Sequence, residues 1–145
     1  MERVISVQMT SFLLQNNVIN TAQHGFLQGL STTSNLLETF NNWTVAIQGK
    51  NSITVAYIDF AKAFDMVSHV KLLYRLQYYG IDGCLLNWIR NFLSGRTHIT
   101  RVGNVVSEPL DLCSGTMQGS GIGPLLFIAY INELLLMYCL NTKLL

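Results

Sequence analysis

Charge is scarce in this chain. Only 12% of its 145 residues are Asp, Glu, Lys or Arg, against a usual share of about 25%. Half of the residues are hydrophobic, so the chain can bury a core and is not a disordered tail. Neither sign of charge dominates: nine Lys and Arg stand against eight Asp and Glu, for a net charge of +1. A self-sufficient nucleic-acid module draws most of its affinity from neutralising phosphates and carries a basic surplus. Its lack argues against such a module, though not against one segment of a larger nucleic-acid enzyme. Proline (2) is sparse, glycine (11) is at its ordinary share rather than one residue in three, and no heptad persists, so neither a collagen-like chain nor a coiled coil is in question. The three cysteines, Cys84, Cys113 and Cys139, are far apart. With no CxxC pair and no Cys/His spacing suited to zinc, they read as reduced, mostly buried thiols of an intracellular protein. Residues 1–20 lack the apolar stretch of a signal peptide, because Val4, Ile5, Val7 and Met9 are interleaved with Glu2, Arg3, Ser6 and Gln8.

One apolar stretch, 121–140, has the length of a membrane span. Asn132 and Glu133 lie in its middle and Pro124 near its start. A central carboxylate costs about 2.5–3.5 kcal/mol on insertion. A buried helix of a protein without a membrane partner is the better reading, and a membrane-associated protein is the weakest alternative.

Linkers, repeats and low-complexity tracts are all missing, so the 145 residues are one domain's worth of chain or a piece of a larger one. Residues 2–15 have helical spacing through Ile5, Met9 and Phe12, and Asn16–Asn17 end it. Gln23 to Thr33 is a glycine-containing loop whose Ser31 or Thr32 caps the next helix. That helix carries Leu36, Phe40, Trp43 and Ile47 on one face, and Gly49 closes it. Residues 52–59 have the β-branched and aromatic bias of a strand, apolar on both sides as if covered on both. A helix over 68–79 should turn Val70, Leu73 and Leu76 inward, with Gly80 after it. Asp82 caps another that carries Leu85, Trp88, Ile89 and Phe92, and Gly95 closes it. Residues 96–107 read as a hairpin turning at Gly103-Asn104. The loop 114–123 then opens a helix at Pro124 that runs to about 137. Strands and helices mix without a regular βαβ repeat, which indicates an α+β fold.

Asp59 is the first candidate for chemistry. A carboxylate ending an apolar run is costly unless it is solvated or binds a cation, and strand-end Asp residues often bind metal in phosphoryl-transfer sites. It stands in Tyr57-Ile58-Asp59-Phe60-Ala61-Lys62-Ala63-Phe64-Asp65-Met66-Val67-Ser68-His69. This string resembles the first palm motif of the reverse transcriptases of non-LTR (LINE-type) retrotransposons. Gln23-His24-Gly25-Phe26 and Ser31-Thr32-Thr33 upstream extend the resemblance, as do Trp88-Ile89 and Phe92-Leu93-Ser94-Gly95-Arg96 between the motifs. Ser114-Gly115-Thr116-Met117-Gln118-Gly119-Ser120 and Gly123-Pro124-Leu125-Leu126-Phe127 extend it downstream. Nearly the whole chain is covered, in family order.

The resemblance implies a right-hand polymerase fold, with residues 1–145 an incomplete fingers-and-palm portion. It implies RNA-templated DNA synthesis with an RNA template, a DNA primer, deoxynucleotides and Mg²⁺, inside the cell in nucleus or cytoplasm. Asp59 would bind the metal, and Phe60 would offer its backbone carbonyl. Phe64 would be the steric gate under the sugar, where a rigid ring rejects a 2′-OH by shape. Lys62 would reach a triphosphate oxygen, and Gln118 and Gly119 would lie beside the incoming nucleotide. Arg96 and Arg101 would face nucleic acid. Asp65 is expected to cap the helix after it.

Three features depart from the family. Met117 stands where a proline is usual and Gly121 where a larger aliphatic residue is usual, both loosening the loop. Leu27-Gln28-Gly29-Leu30 replaces basic residues. No Asp-Asp occurs anywhere, and Tyr138 to Leu144 reads as a decayed third palm motif or as chance similarity. Met1 to Ile5 resembles an internal helix of the polymerase domain, and the thumb is missing. The chain is therefore expected to be catalytically incomplete, with an inactive remnant of weak RNA affinity as the alternative.

Overall fold

The computed structural model describes residues 1–137, with side chains described through Glu133. It is α+β: five helices and four short strands among the described residues. The chain divides into two compact units. One comprises Met1–Val18 with Lys62–Tyr130, and the other comprises Ile19–Ala61 with the described residues from Ile131 to Met137.

The first unit starts with α1 (Glu2–Gln15), which buries Met9 and Leu13 and leaves Phe12 exposed. Asn17 stops it by adopting a left-handed φ of 54°, a conformation that asparagine tolerates better than most residues. Helix α3 (His69–Tyr78) buries Leu72 and Leu76. Leu73 is half-buried and Val70 is 79% exposed, so the inward face lies one residue from the expected register at its start. Gly80 follows with φ 87°, the left-handed step that commonly ends a helix. Helix α4 (Gly83–Leu93) buries Leu86, Ile89 and Leu93. Asp82 holds its N-cap position without a side-chain cap bond. The side chain of Arg75 on α3 donates to the carbonyl of Tyr130, and its guanidinium lies over that ring at 5.6 Å.

The hairpin forms as the turn signal predicts. β2 (Arg101–Val102) pairs antiparallel with β3 (Val105–Val106) across Gly103-Asn104. β1 (Thr97–His98) pairs with β4 (Leu110–Asp111). Helix α5 (Gly123–Met137) carries the most apolar surface, with Leu125 to Ala129 all buried. Among the described residues no helix is long and apolar enough to cross a membrane.

The second unit contains α2 (Thr32–Gln48). Ser31 is its N-cap, accepting from the Ser34 amide while the Ser34 hydroxyl accepts from the Ser31 amide. The loop before it is tied down by His24, which is buried with its ring nitrogens 3.3 Å from Ser34 Oγ and 3.1 Å from Glu38 Oε2. Asn132 accepts from the Asn20 amide at 3.1 Å. The apolar face of α2 is exposed at Leu36, Phe40 and Ile47, and its one buried residue is Asn35.

Residues 52–59 do not form a strand. They are exposed throughout and outside any ladder. The bias for a strand is present, but a strand exists only through hydrogen bonds to a neighbour, and none of the described residues supplies one. Cys84 and Cys113 are also exposed rather than buried, and Cys139 lies outside the described residues.

Candidate functional site

The second half of the first motif and the loop 114–119 fold against each other in the first unit. Lys62 takes a left-handed φ of 52°, and its carbonyl then accepts from the amides of Asp65 and Met66, both at 3.0 Å. This tight turn presents the next carbonyls to the loop. The amide of Thr116 donates to Phe64 O at 2.9 Å and that of Gly115 to Val67 O at 2.8 Å. Ser114 Oγ donates to Asp65 O at 2.9 Å, and Gln118 Nε2 donates to Asp65 Oδ1 at 3.3 Å. His69 Nε2 lies 2.8 Å from Gly115 O. Each such bond is worth about 0.5–1.5 kcal/mol net, and together they hold two segments about fifty residues apart in sequence.

Gly115 is the pivot of this staple. Its φ is +95°, and a Cβ there would meet the backbone of Asp65 at 3.1 Å and of Phe64 at 3.3 Å. Only glycine fits both demands. Gly123 answers a different need, since a Cβ on it would meet Met117 O at 2.7 Å. The loop is also pinned farther along, where the Gly121 amide donates to Glu2 Oε2 at 2.8 Å and the Gly123 amide to Ser120 Oγ at 2.9 Å. The loosening expected from Gly121 is therefore met by a tether from α1.

Phe64 is half-buried, with its ring stacked on Phe127 of α5 at 4.3 Å and 25°. Lys62 is exposed, and Gln118 and Gly119 form an exposed turn. Asp65 does not cap α3. Ser68 does, its hydroxyl accepting from the Lys71 amide, because Ser68 directly precedes the helix and Asp65 is three residues too early. The carboxylate of Asp65 instead orients Gln118. His69 is the first residue of α3. Sequence reasoning missed the tie from Ser114, which no local pattern announces. Ser68 was discoverable, as a serine directly before helical periodicity.

Asp59 and Phe60 belong to the second unit and to the exposed stretch 52–61. Among the described residues no three His, Cys, Asp or Glu side chains come together. One carboxylate does not fit a two-ion Mg²⁺ centre, and the segment 138–144 lies outside the described residues. Arg96 is half-buried and partly committed to structure. Its Nε donates to Phe92 O at 3.0 Å and its guanidinium stacks on that ring at 5.1 Å. Arg101 is exposed on β2.

A family model described as reverse transcriptase (RNA-dependent DNA polymerase) matches residues 1–142. The chain belongs to this family. This reverse transcriptase chain is 30% identical over 139 residues to the probable RNA-directed DNA polymerase from transposon BS of Drosophila melanogaster, covering 92% of the chain and 15% of that protein. It is 35% identical over 121 residues to the retrovirus-related Pol polyprotein from type-1 retrotransposable element R2 of Popillia japonica, covering 81% of the chain and 17% of that protein. It is 26% identical over 139 residues to the probable RNA-directed DNA polymerase from transposon X-element of Drosophila melanogaster, covering 92% and 14%. The chain thus spans about one-seventh of the length of these relatives. No solved structure matches it.

Proposed function

We propose that residues 1–145 are a fingers-and-palm portion of a non-LTR retrotransposon RNA-directed DNA polymerase. In this reading the chain carries the nucleotide-positioning side of the site and is catalytically incomplete by itself. The observation that carries it is the staple between Phe64-Asp65 and Gly115-Gln118.

A carboxylate only accepts hydrogen bonds, so Asp65 fixes the amide nitrogen of Gln118 toward itself and leaves the carboxamide oxygen for a ligand. The exposed amides near Gly119 and the ammonium of Lys62 suit phosphate oxygens. Phe64, fixed on one side by Phe127, is held as a rigid ring that excludes an added hydroxyl by shape. The partners are an RNA template, a DNA primer and a deoxynucleoside triphosphate. Asp59, with Phe60 beside it, would supply only one of the several ligands that a metal centre of the intact polymerase needs. Transfer chemistry needs carboxylates beyond Asp59, and within this sequence no Asp-Asp pair supplies them.

Saturation-transfer NMR on the purified chain with a deoxynucleoside triphosphate tests this. Transfer to the nucleotide is expected, and its loss in Gln118→Ala. Absence of transfer in the wild-type chain would overturn the nucleotide assignment. Extension of a primed RNA template by this chain would overturn the incompleteness.

A further inference from the structure

We infer that His69 is a positioning residue for the loop 115–119. By donating from Nε2 to the Gly115 carbonyl it fixes the Gly115–Thr116 peptide, and with it the approach of Gln118 and Gly119 to a nucleotide. The inference rests on the nucleotide reading above and assigns the ring a task which that reading does not use.

Gly115 and Gly119, with φ of +95° and +82°, bracket a short loop. Glycine is the residue whose backbone turns most freely, so such a loop keeps one form only where bonds hold it. On the entry side the Ser114 hydroxyl donates to Asp65 O and the Gly115 amide to Val67 O. On the exit side the tie back to the motif turn is the exposed Gln118 Nε2, 3.3 Å from Asp65 Oδ1. Between them lies the Gly115–Thr116 peptide. Its N–H donates to Phe64 O at 2.9 Å, and its carbonyl oxygen lies 2.8 Å from His69 Nε2. The peptide is thus gripped at both ends. A flip would break both bonds and redirect the chain that leads to Gln118.

The start of α3 places the ring for this task. Ser68 caps the helix and forms an isolated bridge with Ser114, so the first helical residue lies beside the loop. Helical side chains lean back toward the helix N-terminus, which directs His69 at Gly115. A carbonyl oxygen only accepts, so Nε2 carries a proton. The neutral Nε2–H tautomer and the imidazolium both meet this demand, and the neutral Nδ1–H tautomer does not. A residue needed merely to begin α3 requires no ring nitrogen at this reach, because Ser68 already supplies the cap.

The test compares the full chain, labelled with ¹⁵N and ¹³C, with three variants. The side-chain nitrogen of glutamine lies four bonds from Cα, as histidine Nε2 does. That of asparagine lies three bonds away, and leucine has no donor. Signals lost in His69→Gln identify this ring among the three histidines. Above about pH 8, where a histidine ring is ordinarily neutral, two-bond ¹⁵N–¹H correlations should place the proton on Nε2. His69→Leu should move the Gly115 carbonyl carbon upfield and speed exchange of the Thr116 amide. It should also weaken binding of a deoxynucleoside triphosphate about three- to ten-fold, as for the loss of one hydrogen bond. His69→Asn should follow His69→Leu, and His69→Gln should follow the wild type. Should His69→Leu fail to fold, the wild-type tautomer and the contrast between Asn and Gln decide. A proton on Nδ1, or equal behaviour of the Asn and Gln variants, would overturn the tie. Unchanged affinity in every variant would overturn the positioning role and leave the nucleotide reading standing. Absence of saturation transfer from the wild-type chain, with the tautomer and exchange as expected, would overturn the nucleotide reading and this role with it.

Discussion

The helices of the two units differ in how far their apolar faces are covered. In the first, Leu13, Leu72, Leu76, Ile89 and Leu126 are fully buried, and long-range hydrogen bonds lock the motif turn to the loop 114–119. In the second, Leu37, Phe40, Val45 and Ile47 of α2 are more than half exposed, as are Tyr57 and Ile58 after it. Periodicity announces a face in both. It cannot say whether the element that covers the face lies in the same stretch of chain.

Substitutions break this comparison from opposite sides. The largest effect is expected at Leu76, which is wholly buried on α3. Leu76→Ala should cost about 2–5 kcal/mol by chemical denaturation, while Ile47→Ala, at 65% exposure, should stay within about 0.5 kcal/mol. Equal losses would show that α2 is packed in solution. Gly115→Ala comes next. It forces a side chain into φ +95° and against the backbone of Phe64 and Asp65, and should cost about 1–3 kcal/mol while speeding exchange of the Thr116 amide. The smallest effect belongs to Ser31→Ala, which removes the α2 cap. It should cost about 1 kcal/mol, read as faster exchange in the first turn of α2 with α3 and α4 unchanged.

Much of the fold is legible from residues alone because its signals are local. Ser31 and Gly49 bound α2, Asp82 and Gly95 bracket α4, and Gly103-Asn104 turns the hairpin. Signals that depend on distant partners are not. Residues 52–59 have every strand preference and no ladder. Val70 and Leu72 fit the inward stripe of a short helix nearly equally, and only packing selects Leu72. Asp65 and Ser68 are both competent caps, and the position of the helix start decided between them. The family motifs pointed to Phe64 and Gln118, but the roles of Ser114 and His69 in tying those segments together emerge only when the loop is seen folded back.

Native-state hydrogen exchange along the chain tests the central claim most directly: the turn after Lys62 and the loop 114–119 are locked together while the stretch bearing Asp59 lies open. The amides of Gly115 and Thr116, bonded to Val67 O and Phe64 O, should be protected to a degree approaching α3 and α4. The amides of 52–59 should exchange at rates near those of an unfolded chain. Protection across 52–59, or exchange of Gly115 and Thr116 as fast as that stretch, would contradict the account.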